Sequence, residues 1–510
     1  MKELTLPDPV TSPALGPRER VPSRRRALLA ALPFVIYVGL RVPSLFEPHW
    51  YSDEAGYATT AWFSTHGLAL YQTVWNNKPP LLFWIYDLAL WAFGPSEFGL
   101  HLLSILTGLL ALGALSWALQ RRASGWRRLG PLLAAAVLLG IPLLGGDLAL
   151  PENFLIAPEA LGMVLVLEGL ERREAGWMVG AGVVLATAVL IQQTALAAVA
   201  AAVLLIAVRP ETGRVHRIAA LLLACGFGVG AGLAPYLMTA GFGQVWFFLV
   251  GSYRQYTSQS LPITALTLLP RALAGPLLLV GAVGRRRDPP MAQLAAVWLV
   301  TDLFAYLLPN RAYPHFLLPA VVPLCLVLAG LHRPRWFSAP RLPKLALPTS
   351  AALCVGTWAA LFAMNASGLF GGLLTLEYIP LSVGRAVGAV TEAQYLSAFG
   401  LETLGESQAV AFIRSHHLEG ASAVVWSANA WPYLLARLRP VLPTPAIYMD
   451  HFWLGERTLI DRVRSAVPEL VVVNGSGLPT ALRGFLDSSY RVVERGSGGS
   501  AVWLRENVPG

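Results

Sequence analysis

The chain has 510 residues, 55% of them apolar and only 13% charged, with a mean hydropathy of +0.56. A soluble domain carries about 25% charged residues, so this composition excludes an ordinary soluble enzyme, a disordered chain and a nucleic-acid-binding domain. The net charge of +9 takes its meaning from where the basic residues sit.

Residues 1–26 are polar and proline-rich and end in Arg24-Arg25-Arg26. No small-residue cleavage site follows the apolar run 27–46, which predicts an uncleaved first span. Further runs at about 97–119, 129–146, 153–170, 175–192, 193–208, 217–238, 264–284, 291–308, 314–331 and 345–366 bring the expected number of membrane helices to about 11. With a cytoplasmic N-terminus, 22 of the 38 basic residues fall on the cytoplasmic side and five outside, the remaining 11 lying in the tail. That asymmetry predicts a multi-pass protein of the cell (inner or plasma) membrane. The three cysteines, Cys225, Cys325 and Cys354, lie in apolar stretches and offer neither a disulfide framework nor a thiolate metal site.

Two segments do not read as membrane. One is the loop 47–95, dense in Trp, Tyr and Pro, inside the region 27–370. The other is the tail 375–510, expected to be an α/β domain outside the membrane. In the tail, the patterning predicts helices near 404–417, 429–437, 456–466 and 480–488. Strands are expected at 423–427, 469–473, 490–495 and 501–505, with Gly496–Gly499 as a hairpin turn.

The residues suited to chemistry cluster in the loops. In Tyr51-Ser52-Asp53-Glu54-Ala55-Gly56-Tyr57, Ser52 fits an N-cap and the two acids a first helical turn. Such acids either complement the helix dipole or act as a general base, and neighbours about 100° apart cannot both address one atom. In Asn76-Asn77-Lys78-Pro79-Pro80, the prolines fit the start of a helix. Lys78 there is unfavourable unless an anion, such as a phosphate, lies nearby, or it snorkels to headgroups. Asp147 and Glu152 form a second acidic site, and Asn310-Arg311-Ala312-Tyr313-Pro314-His315 places Arg, Tyr and His between two spans. Arg254 lies in a similar loop, Trp246–Ser260.

An outer loop with Asp53-Glu54 after the first span, followed by Lys78-Pro79-Pro80-Leu81, resembles the GT-C membrane glycosyltransferases. The resemblance is closest to the bacterial branch related to protein O-mannosyltransferases and the aminoarabinose transferase of lipid A. It implies a polytopic α-helical GT-C-like fold and an inverting transfer of a sugar from a polyprenyl-phosphate carrier to an acceptor hydroxyl outside the membrane. The acceptor is a lipid, a glycan or a protein. The resemblance makes Asp53 the catalytic base, with Glu54 and Glu152 as further acids. Lys78, Arg254, Arg311, Tyr57, Tyr313 and His315 are expected around carrier phosphate and substrate. The donor is a lipid-linked sugar; no nucleotide or nucleic-acid motif is required, and a divalent metal is left open. Asn77 departs from the aminoarabinose branch, which has an acid there. A transporter or flippase with Glu159, Asp302, Gln192 and Gln193 along its path is the competing reading, and a non-catalytic polymer-binding or scaffold protein is a third.

Overall fold

The computed structural model describes residues 23–256, 261–309, 311, 313–331, 342–364, 375–475 and 477–506. The polar segment 1–22, the cluster Arg333, Arg335 and Arg341, and Asn310 and Ala312 lie outside the described residues.

Helix α1 (Ser23–Arg41) runs into a 3-10 turn ending at Phe46. The loop that follows holds α2 (Ser52–Thr65) and α3 (Pro80–Phe93). At 1.5 Å per residue, the 14 residues of α3 reach only about 21 Å, short of a hydrocarbon core, although the helix is apolar. There follow α4 (Glu97–Gln120), α5 (Trp126–Gly140), α6 (Pro151–Arg172), α7 (Ala175–Ile191), α8 (Leu196–Val208) and α9 (Arg214–Thr239). Short helices α10 (Gly241–Trp246) and α11 (Tyr253–Tyr256) flank a π-helical turn at Phe247–Gly251. Helices α12 (Leu261–Gly284), α13 (Pro290–Ala305), α14 (Val321–Leu331) and α15 (Leu342–Met364) complete the apolar region. Each expected apolar run overlaps one of these helices. Among the described residues, four segments are both long and apolar enough to cross a membrane: 27–46, α4, α6 and α9.

The apolar helices share one core, with Leu115, Met163, Leu185, Trp298 and Leu326 among its buried members. Small residues let the backbones approach: a Cβ on Gly182 of α7 would run into the carbonyl of Leu221 in α9. At one end of the bundle, the basic clusters meet acids. Arg122 donates to Glu168 at 2.9 Å and to Glu171 at 2.6 Å, and Arg209 and Arg217 both pair with Glu211.

The tail contains α16 (Thr375–Ala386), α17 (Glu392–Ala398), α18 (Leu401–Ser415), β1 (Ser422–Trp426), α19 (Trp431–Leu435) and β2 (Arg439–Pro440). It continues with α20 (Ile447–Leu454), α21 (Glu456–Ala466), β3 (Leu470–Val473), α22 (Thr480–Ser489), β4 (Tyr490–Arg495) and β5 (Ala501–Arg505). The sheet order is β2-β1-β3-β5-β4, parallel among β2, β1 and β3 and antiparallel where β5 joins β3 and β4. The β4–β5 connection turns through Gly498 and Gly499, both at positive φ.

The period of two is visible in the burial. Ala423, Val425, Leu470, Val472, Val502 and Leu504 pack into one core, and Val424, Trp426, Val471, Val473 and Trp503 into another. The second core rests on α21 and α22 through Leu459, Val463, Leu482 and Leu486. The first core is shared with the loop and with α6, because it also contains Tyr57, Phe63 and Tyr86 of the loop and Phe154 of α6. Backbone and side-chain bonds fix the join: Trp75 N–H donates to Pro443 O at 2.9 Å, and Thr59 Oγ1 to Ala430 O at 3.2 Å. The sheet therefore sits on the same side of the helical bundle as the loop.

Candidate functional site

Between the loop, the bundle ends and the sheet unit lies a cavity of about 260 Å³, just below the usual range of about 300–1,000 Å³ for ligand pockets. Asp53 reaches it from the first turn of α2. Tyr51, in extended conformation, is the residue that precedes the helix, so Ser52 is its first residue rather than its cap, and Ser52 also lines the cavity.

Lys78 is held at the cavity by its backbone. Its N–H donates to Asn76 Oδ1 at 3.2 Å, and its carbonyl accepts from Tyr71 OH at 2.6 Å. The ammonium group lies 5.9 Å from the centre of the Tyr57 ring. Pro79 caps α3 and Pro80 opens it, which ends the lysine's segment without wasted N–H groups. Burial works against the charge on Lys78, but Tyr253, Glu152 and Asp53 together push its pKa above the ordinary value. Burial, reinforced by Asp53, also raises Tyr51 well above the usual phenol range. At neutral pH the site therefore holds a charged lysine beside a neutral tyrosine.

Glu152 lies in the first turn of α6, buried, and accepts from Gln192 Nε2 at 2.9 Å. Gln192 has extended backbone and stops α7 at Ile191, so the two apolar runs divide at a polar step that opens onto the cavity. Gln193 then donates to the carbonyl of Asn77 at 2.8 Å and fixes the lysine loop to the bundle. Arg311, Tyr313 and His315 enter from the connection between α13 and α14, with the Tyr313 and His315 rings stacked 5.4 Å apart.

Of the nine residues singled out from sequence, seven line this cavity: Asp53, Tyr57, Lys78, Glu152, Arg311, Tyr313 and His315. Two do not. Glu54 is fully buried on the other side of α2, where its carboxylate accepts the Ala149 N–H and faces His101. The helical turn between adjacent residues accounts for that separation. Arg254 is exposed and outside the lining, and its neighbour Tyr253 takes the place at the wall, next to the π-helical turn. Sequence reasoning missed Met449 and Trp453 of α20, which line the cavity from the sheet unit. It also missed Ser252 and Tyr306. Nothing in the local pattern of 447–454 marks it as a cavity wall.

Residues 77–238 match the family model described as dolichyl-phosphate-mannose-protein mannosyltransferase. No curated protein sequence matches the chain. Among solved structures, ArnT from Cupriavidus metallidurans bound to undecaprenyl phosphate superposes with a TM-score of 0.56 at 17% identity, covering 96% of this chain and 100% of that one. The chain has the GT-C glycosyltransferase fold. The apo state of the same ArnT gives 0.56 at 18% identity over 94% and 97% of the two chains. The oligosaccharyltransferase of Archaeoglobus fulgidus in its apo form gives 0.47 at 13% identity over 88% and 69%. The family model and the ArnT structures are of GT-C-type glycosyltransferases. The matched stretch begins at Asn77, beside the cavity lysine, and contains Glu152 and Gln192.

Proposed function

We propose that this chain transfers a sugar from a polyprenyl-phosphate carrier to an acceptor hydroxyl at the outer face of the cell membrane. The observation that carries the reading is the convergence of Asp53, Lys78 and Arg311 on one cavity from three distant parts of the chain. Asp53 takes the proton of the acceptor hydroxyl, and the oxygen attacks the anomeric carbon from the face opposite the phosphate. The bond from that carbon to the phosphate oxygen breaks, and the electron pair leaves with the polyprenyl phosphate. Lys78 and Arg311 stabilise the charge on the leaving phosphate. One bond to the anomeric carbon forms as one breaks, so the configuration inverts. Glu152, held by Gln192, sets the electrostatics around Lys78.

Purified protein is incubated with the lipid-linked sugars of its own membrane, and liquid chromatography follows release of polyprenyl phosphate. The reading expects release by the wild type and at least a roughly 100-fold slower rate for Asp53→Asn, with carrier binding nearly unchanged. The Asn side chain keeps the volume but cannot accept the proton. Carrier binding without any release by the wild type would favour a transporter, and normal turnover by the Asn variant would move the base elsewhere.

A further inference from the structure

On the far side of α2 from the cavity, Glu54 meets Glu97 and His101 of α4, all three of them buried. Glu97 and His101 are four residues apart and share one helix face. One ligand atom from each of the three lies within 4.8 Å of the others. His101 Nδ1 is 2.5 Å from the carbonyl of Ser44, so that nitrogen carries a proton and donates it. Nε2 then points at two carboxylates, 3.3 Å from Glu54 Oε1 and 3.5 Å from Glu97 Oε2. With bonds of about 2.0–2.2 Å, two ligands of a tetrahedral zinc ion stand roughly 3.3–3.5 Å apart. The two separations match that edge. A histidine whose other nitrogen is tied to a backbone carbonyl is also the usual arrangement of a metal-binding imidazole.

Charge points the same way. Glu47 and Asp147 are buried beside this cluster, making four carboxylates in one region. Arg41 is buried with them, but its guanidinium donates to Ser104 Oγ at 2.9 Å and to the Leu148 carbonyl. Glu47 receives Trp50 Nε1 and Tyr378 OH. Both carboxylate oxygens of Glu97 lack a hydrogen-bond partner among the described residues, as does Glu54 Oε2. A carboxylate buried in this way is costly unless a cation meets it.

We infer that Glu54, Glu97 and His101 form a buried site for one divalent transition-metal ion of the zinc type. One nitrogen and two carboxylate ligands suit zinc better than calcium or magnesium, which favour all-oxygen shells. The ion ties the first turn of α2 to α4 and so fixes the direction in which Asp53 projects from the opposite face. It takes no part in the chemistry of the cavity, and its binding is measured independently of the transfer reaction.

The test is elemental analysis of the full-length protein, purified in detergent without chelator. The expected content is about one zinc-type ion per chain, with X-ray absorption showing a nitrogen and oxygen shell. His101→Ala and Glu97→Gln should each lower the content at least roughly tenfold, whereas Asp53→Asn should keep it. Because those two variants could also fail to fold, the wild type is stripped with EDTA and its Tm followed as Zn2+ is added back; the expected result is a rise that saturates at one equivalent. Wild-type protein that holds no stoichiometric metal and shows no rise in Tm overturns the site and leaves a protonated His101 as the cation between the two carboxylates. Full metal content in both ligand variants overturns it as well.

Discussion

Lys78 and Arg311 are the cations that line the cavity, and they come from loops more than 230 residues apart. If they hold the carrier phosphate, each charge-assisted contact contributes about 1.5–3 kcal/mol, or roughly 10- to 150-fold in affinity. Lys78→Met and Arg311→Gln should therefore each weaken binding of polyprenyl phosphate in that range, measured by titration in detergent. Arg254→Gln should bind it as the wild type does, because Arg254 is exposed and outside the cavity lining. Equal affinity in all three variants would return the first two to the role of interfacial anchors. At this scale the sequence was informative wherever a residue's type was unusual for its place: an acid in a first turn, a lysine before two prolines, an arginine between spans. It was silent on direction. Asp53 and Glu54 read alike in the chain, and only the phase of α2 against α4 sends one to the cavity and the other to His101. Likewise, Tyr253 reaches the cavity lining while its neighbour Arg254 does not, just after the π-helical turn.

The joint between β1 and β3 is closed by one acid. Glu469 Oε2 accepts the Ser422 backbone N–H at 2.6 Å and the Ser422 hydroxyl at 2.9 Å. The backbone bond, then the hydroxyl bond, hold the carboxyl below its ordinary value, with Arg439 and Arg505 adding to the effect. A carboxyl depressed in the folded state contributes stability above its unfolded value of about 4.3, and that contribution is lost as pH falls through the lower folded value. Glu469→Gln should therefore lower Tm at pH 7, with the gap to wild type closing in the acid range below about pH 4. Thermal scans from pH 3 to 7 check this, and a gap constant with pH would show that the acid acts through shape alone. The elements themselves were largely legible. The strands at 490–495 and 501–505 and the helix at 456–466 fall where alternation and helical spacing put them. Helix α20 and the two-residue β2 were not legible, because neither carries a period of its own; pairing with Ala423 defines β2, and packing against the loop defines α20.

For the whole molecule, the sequence separates an aromatic loop and a C-terminal unit, and the structure joins them in one core. Phe63 meets Tyr433 at 5.5 Å, and Trp75 meets Trp453 at 6.4 Å. Contacts across nearly 400 residues leave no local pattern to read. The join fixes the two segments on one side of the bundle, and the basic clusters Arg121–Arg128, Arg172 and Arg209–Arg217 mark the other. A reporter fused after residue 506 should therefore signal outside the cell membrane, and one placed in the turn near Arg122 should signal inside. The reverse result would put Asp53 in the cytoplasm and end the proposed chemistry. Met449 and Trp453 add a matter of timing. The cavity gains its last wall about 400 residues after Asp53 has been made. At about 5–20 residues per second, that is a delay of roughly 20–80 s during synthesis. For most of that interval the nascent chain already carries Asp53 and Lys78, yet lacks the wall that closes over them. A chain released by a stalled ribosome before Trp453 is thus left without a finished cavity.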